Sequence, residues 1–379
     1  VIVAIAAIAW GVWSQQQAPS QAELDGLKAQ IAQLEKDNAN LQKALAKAAV
    51  PPKPAAAPAV EAVTLRWQTF VPPVANPSKF YVPWADKIEK ESGGRLKIQL
   101  FWSMQLGGKA PQLLDQVRDG VIDIAWTLPG FTPGRMPRVE PFELPFVHKD
   151  AMSSTLALQD YQDMHLAADY KGYHPLLTHV HAGFLLQTKQ PVTTMADLKG
   201  MKIRAAARSG VWLLEAMGAT GIGLPLPQIP QALSKGVIDG VTLPYEIAPA
   251  VKTPELVSNF SELEGPQPRF GTNIFTLLMN KASYDKLPPD LQKVLDNNSG
   301  RHVAKWAGQV WTDIEKPGKA AAMAQKKNRF HTIPAAEVAK MKKAAEPVIK
   351  RWYDEVAKEG IDGPKLLSDA RALIDKYSK

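Results

Sequence analysis

His179 and His181 stand two residues apart in a stretch that alternates apolar and polar positions, so both imidazoles leave one strand face and offer two metal ligands. No carboxylate or third ligand is spaced to complete such a site, and the pair reads as ordinary strand residues. Lys326-Lys327-Asn328-Arg329 is the densest basic run. It closes a helical pattern without interleaved aromatics, which marks a solvated helix end rather than a nucleic-acid surface. No Ser-His-Asp set, phosphate-cradling glycine loop or pair of carboxylates stands out. These residues point away from an enzyme and a nucleic-acid binder, and they imply no cofactor.

A chain of 379 residues with 45% hydrophobic content can bury a large core, and its length predicts two or three domains. With no cysteine it has neither disulfides nor thiolate metal sites, which is compatible with a bacterial periplasm. The formal charge of +8 suits an anionic ligand or an anionic membrane surface.

Three segments precede the main domain. Val1 to Trp13 is wholly apolar, lacks an initiator methionine and is short of the roughly 20 residues of a membrane span. It reads as the outer end of a truncated anchor (1–20) with Trp10 and Trp13 at the interface. The competing reading is the apolar core of a signal peptide, without a clean cleavage pattern after it. Leu24, Leu27, Ile31, Leu34, Asn38, Leu41, Leu45 and Ala48 then repeat at spacings of three and four. That heptad predicts a coiled coil over 21–49, and Asn38 at an a position favours a parallel homodimer. A single amphipathic helix packed on another surface is the alternative. Prolines from 50 to 62 make a semi-rigid linker.

From Val63 the period changes to that of strands. Val63–Phe70, Leu96–Leu100 and Val121–Trp126 alternate with helical patterns carrying Phe80, Trp84 and Ile88, then Leu114 and Val117. Strand-helix-strand order with short connections predicts a parallel sheet whose ligand lies beyond the strands' carboxyl ends. Phe70 and Trp126 occupy two such ends. A second unit begins near Gly183, with strands at 184–187 and 201–205 and helices at 211–217 and 230–235. Its Gly236-Val-Ile-Asp239 echoes Gly120-Val-Ile-Asp123 of the first. Phe275–Asn280 reads as a strand crossing back. Leu291, Val294, Leu295, Trp306, Val310 and Ile314 form one helical stripe, followed by helices near 335–358 and 363–377.

Several short segments, in order, carry a family likeness: Gly94-Arg-Leu-Lys-Ile98 with Gln105-Leu-Gly-Gly108; Asp123-Ile-Ala-Trp126 with Pro133-Gly-Arg-Met-Pro137 and Glu143-Leu-Pro-Phe146; Asp197-Leu-Lys-Gly-Met-Lys-Ile-Arg204; Leu233-Ser-Lys-Gly-Val-Ile-Asp-Gly240; and Met279-Asn-Lys281 before Leu287-Pro288. Residues 63–360 resemble the solute-binding subunit of TRAP (tripartite ATP-independent periplasmic) transporters, the DctP-type family. The resemblance implies an α/β, two-lobed periplasmic-binding-protein-like fold with hinge strands and a long connecting helix. Lobe I takes 63–181 and 270–309, lobe II 182–269 and 310–337, and 338–379 forms C-terminal helices. It implies capture of a small organic acid by lobe closure, delivery to a TRAP membrane permease, and a periplasmic location, here tethered to the inner membrane. The arginine ending Lys-Gly-Met-Lys-Ile-Arg is the family's carboxylate clamp, and that position is Arg204. Its planar fork suits the role. By residue type alone it reads as a surface arginine at a strand end.

Two departures shape the expected ligand. Phe184 stands where sialic-acid-binding relatives have a second arginine, and Val241-Thr-Leu243-Pro replaces their asparagine after Asp-Gly. Apolar groups there leave ligand hydroxyls unpaired, which predicts a monocarboxylate with an apolar or aromatic body. Phe70, Trp126, Phe184, Leu243 and Tyr245 are the candidate walls, and Arg208 is a candidate partner for a second acidic group, keeping a dicarboxylate open. The anchor and zipper also fit another role, that of a binding-protein fold recruited as a fixed subunit of a membrane complex.

Overall fold

Each stretch that alternates apolar and polar positions becomes a short strand in the computed structural model, which describes residues 20–48 and 62–378. The strands in chain order are β1 (Val63–Thr69), β2 (Leu96–Phe101), β3 (Ile124–Thr127), β4 (Tyr173–Val180), β5 (Leu185–Thr188), β6 (Lys202–Ala205), β7 (Thr220–Gly223), β8 (Gly240–Leu243), β9 (Asn259–Leu263), β10 (Ile274–Asn280) and β11 (Arg329–Ile333). They build a five-stranded sheet, β2-β1-β3-β10-β4, and a six-stranded sheet, β11-β9-β5-β8-β6-β7. The result is the expected two-sheet α/β fold. Each sheet has a parallel half made by strand-helix-strand units, β2-β1-β3 in one and β8-β6-β7 in the other. The expectation of parallel sheets holds for those halves and for the β9–β11 pair, not for the sheets as wholes. β10 runs antiparallel between β3 and β4, and β5 runs antiparallel between β8 and β9.

The repeated Gly-Val-Ile-Asp does the same work in both sheets. Gly120 and Gly236 end their helices at positive φ, 73° and 70°, where the absence of a Cβ removes the usual strain. Val121 and Val237 are each 52% exposed, whereas Ile122 and Ile238 are buried. The aspartate then locks the parallel neighbour. Asp123 Oδ2 accepts from the Arg66 N–H at 2.8 Å, and Asp239 Oδ2 accepts from the Lys202 N–H at 2.9 Å. The strand predicted from Val121 therefore starts at Ile124, because the three residues before it form this corner.

The stripe from Leu291 to Ile314 is two helices, Pro289–Asn297 and Arg301–Asp313, parted at Gly300 with φ 51°. Of the second helix, Val303, Ala307 and Trp311 are buried. The C-terminal helices Ala335–Ala357 and Gly363–Tyr377 lie close to the expected ranges.

Gln21–Ala48 is a single 28-residue helix, and the Glu23 carboxylate accepts from the Ser20 N–H and hydroxyl at its start. Leu24, Leu27, Ile31, Leu34, Leu41 and Leu45 are all exposed along it. The coiled-coil expectation thus reduces here to one helix with an unpartnered apolar stripe. No helix among the described residues is long and apolar enough to cross a membrane. Apart from Ser20 and Ala62, the expected anchor at 1–20 and linker at 50–62 lie outside the described residues.

Asp239→Ala should destabilise the fold by about 1.5–3 kcal/mol, the range for a hydrogen bond to a charged group. Asp123→Ala should cost a similar amount. Denaturant titration of the two variants measures both, and wild-type midpoints would remove the aspartates as strand locks.

Candidate functional site

The parallel halves of the two sheets present their carboxyl ends to one cavity. Phe70 and Val71 follow β1, Trp126 lies in β3 with Leu128 just beyond it, Ala206 follows β6, Leu226 lies beyond β7, and Leu243 ends β8. This is where parallel α/β sheets place ligands. The space free of protein atoms, mouth included, is about 360 Å³. The remaining lining residues are Phe131, His181, Arg204, Pro244, Glu246, Ile247, Asn273 and Phe275.

Arg204 is the one arginine buried outright among the described residues, at 2% exposure. Its strand is held on both sides, with Arg204 opposite Ile222 of β7 and Val241 of β8. Nε donates to the Leu224 carbonyl at 2.7 Å, Nη1 reaches the Thr242 carbonyl at 3.5 Å, and the Thr242 hydroxyl donates to the Arg204 carbonyl at 3.2 Å. No carboxylate pairs with it among the described residues. Burial alone draws its pKa down to about 9, so the group remains cationic at neutral pH. A buried guanidinium with two carbonyls and no counter-ion is an anion receptor.

The first lobe supplies a wall of stacked rings. Phe70 lies 5.1 Å from Trp126 with planes at 19°, and Trp126 lies 4.4 Å from Phe275 with planes at 5°. Phe131 meets Phe70 edge-on at 5.2 Å. Trp126 Nε1 donates to His179 Nε2 at 2.9 Å, which fixes the indole. Across the cavity, the Asn76 side chain donates to the Glu246 carbonyl at 2.8 Å. A Cβ built on Gly130 would approach Ala207 Cβ to 2.7 Å, so the two strand-end loops touch.

Arg204, Phe70, Trp126 and Leu243 therefore meet in the cavity, and three other predicted residues do not line it. Phe184 pairs its backbone with Gly271, and its ring is buried in the core of the second sheet. Tyr245 lies in the turn that follows β8 and does not line the cavity. Its ring stacks on Phe260 at 5.9 Å under Arg269 and Lys319. Arg208 is committed to Glu140, Nη2 to Oε2 at 2.6 Å, and the Trp352 indole donates to the same oxygen at 2.8 Å. A second anion thus has no free arginine there.

The polar residues His181, Glu246 and Asn273, and the rings of Phe131 and Phe275, were not singled out as lining residues from the sequence. Glu246 was within reach of the strand-end rule, three residues beyond β8. Phe275 and Asn273 needed knowledge that β10 enters the first sheet. Among the described residues no group of three or more His, Asp or Glu is arranged to hold a metal.

Comparison with known proteins agrees with this geometry. The DctP family model, bacterial extracellular solute-binding protein family 7, matches residues 69–355. The outer membrane transporter protein TsaT of Comamonas testosteroni is 27% identical over 294 residues, 76% of this chain and 85% of that one. A TRAP solute-binding protein from Rhodoferax ferrireducens T118, solved with copurified benzoate, is 43% identical with a TM-score of 0.81, covering 83% of this chain and 98% of its own. A marine-metagenome TRAP solute-binding protein specific for aromatic acids, solved with 3-hydroxybenzoate, is also 43% identical, with a TM-score of 0.82 over 84% of this chain and all of its own.

His148, His179 and His181 are buried and held neutral, and burial is the first cause for each. His148 falls to about 4, His179 to about 3 and His181 well below its ordinary value. From pH 6.5 downward the unfolded chain binds protons that the folded chain refuses, so these groups lose stability as pH falls towards 4. His148 Nδ1 lies 3.1 Å from the Ser154 hydroxyl, a contact that asparagine can imitate. His148→Asn should therefore lose less melting temperature than wild type between pH 6.5 and 4. Parallel curves by calorimetry would contradict this assignment.

Proposed function

The chain belongs to the bacterial extracellular solute-binding proteins of family 7, and from that premise we propose that it captures an aromatic monocarboxylate between its lobes and delivers it to a TRAP membrane permease. The observation that carries the reading is Arg204, a buried cation with no carboxylate partner, set opposite a wall of stacked aromatic rings. A carboxylate supplies the missing charge and a planar ring matches the wall. The benzoate and 3-hydroxybenzoate bound by the two structures that are 43% identical support the same ligand class.

Capture proceeds by closure. Both strand-end loops contribute to the cavity, so the ligand joins contacts from two lobes and stabilises their closed arrangement by differential affinity. The Asn76–Glu246 hydrogen bond and the close approach of Gly130 to Ala207 are the contacts that closure makes. The N-terminal segment places this domain at the periplasmic face of the inner membrane, through an anchor in residues 1–20 and a parallel two-stranded coiled coil of residues 24–48. The exposed stripe Leu24 to Leu45 supports the pairing.

Two measurements test these readings. Arg204→Ala should weaken benzoate binding about a hundredfold in isothermal titration, the equivalent of about 3 kcal/mol. Unchanged affinity removes Arg204 as the clamp. In sedimentation equilibrium the whole chain should dimerise. Leu27→Asp with Leu34→Asp should give monomers that bind benzoate as wild type does, and an unaltered dimer places the interface elsewhere.

A further inference from the structure

Glu246 lies in the same cavity as Arg204 and does not form an ion pair with it. Its side chain is buried, at 2% exposure, and neither carboxyl oxygen receives a hydrogen bond from any described residue; Oε2 is sealed from solvent as well. An unpartnered polar atom in such a position is costly, and native structures rarely keep one without a use.

The backbone prevents the side chain from turning elsewhere. The Glu246 N–H donates to Glu315 Oε1 at 2.8 Å, and its carbonyl accepts from Asn76 Nδ2 at 2.8 Å. Just upstream, Gln187 Nε2 donates to the Leu243 and Pro244 carbonyls at 3.1 and 3.3 Å. The loop is pinned from the sheet and from both lobes.

Burial first, and the nearby Glu315 second, hold the Glu246 carboxyl well above the ordinary carboxylate range. Burial thus favours its protonated form, which has one O–H to donate and a carbonyl to accept. The Tyr81 hydroxyl is likewise buried without a partner, and its pKa is raised by burial and then by Glu246.

We propose that Glu246 is a specificity-determining residue that recognises a hydroxyl group on the aromatic acid held by Arg204. A phenolic hydroxyl both donates and accepts, as a neutral carboxyl does, so the two exchange hydrogen bonds that an unsubstituted ring cannot make. A site built to hydrogen-bond a hydroxyl discriminates against the analogue that lacks it, because its own polar group is then left unpaired. The cavity thus has two poles, a cation for the carboxylate and a neutral acid for the hydroxyl. The inference rests on the aromatic-acid reading and adds the ring substituent to it.

The test titrates benzoate, 3-hydroxybenzoate and 4-hydroxybenzoate calorimetrically into wild type, Glu246→Gln and Glu246→Leu. Wild type should prefer at least one hydroxybenzoate over benzoate about tenfold, equivalent to about 1.4 kcal/mol. Glu246→Gln, neutral and still able to donate and accept, should keep most of that preference. Glu246→Leu should abolish or invert it. Should the leucine variant not fold, Glu246→Met supplies the same comparison with an unbranched chain. Equal binding of all three acids by wild type overturns this inference and leaves the aromatic-acid reading intact, as does a preference unchanged in the apolar variant. Failure of wild type to bind any of the three overturns both.

Discussion

A guanidinium withdrawn from water without a counter-ion is the constraint around which the second lobe is organised. Even after relaxation, burying an unpaired ion costs several kcal/mol, and two carbonyls offset only part of that. The sheet bears the cost by holding Arg204 between two parallel neighbours, so the side chain has little room to turn back to solvent. Asp239 contributes one step away, fixing Lys202 at the start of the same strand. On the proposed reading, a carboxylate entering the cavity completes the charge balance and couples ligand binding to fold stability through this residue.

The first lobe answers with shape rather than charge. Its ring stack runs from Phe70 through Trp126 to Phe275, and His179 extends it at 5.3 Å from Phe275. The stack keeps its order only while His179 remains an acceptor for the Trp126 indole. Burial secures that by holding the imidazole neutral. A protonated His179 would lose the acceptor and add a second buried cation to the same core. One lobe is thus a preorganised plane and the other a preorganised charge.

Much of the architecture was legible because both lobes use one local device, Gly-Val-Ile-Asp, whose spacing marks a helix end, a corner and the next parallel strand. Phe70 and Trp126 followed from the strand-end rule, and Arg204 from its motif. Less legible was anything that depends on pairing between distant segments. β7, β9 and β11 are short and carry glycine or polar residues, so periodicity does not distinguish them from loop. β10 is apolar on both faces because it lies inside a sheet, and its antiparallel course between β3 and β4 cannot be read from composition. Phe184 and Tyr245 have the residue type of a wall, but Phe184 packs into the core of the second sheet and Tyr245 stacks on Phe260. Arg208 has the charge of a clamp and is occupied by Glu140, 68 positions earlier in the chain.

The pairing of the other arginines bears on the proposed ligand's valence. Arg135 pairs with Asp115, Arg138 with Asp169, Arg208 with Glu140, and Arg269 with Glu262 and Glu315. All four are half-buried and all are neutralised within the fold. Arg204 alone is fully buried and lacks a carboxylate among the described residues. Arg204 is thus the one lining cation that no carboxylate meets, and burial disfavours the charged forms of the other ionisable lining groups, His181 and Glu246. A ligand with one carboxylate cancels that charge. Under the proposed reading, a second carboxylate would enter a low-dielectric space with no unpaired arginine among the described residues to meet it.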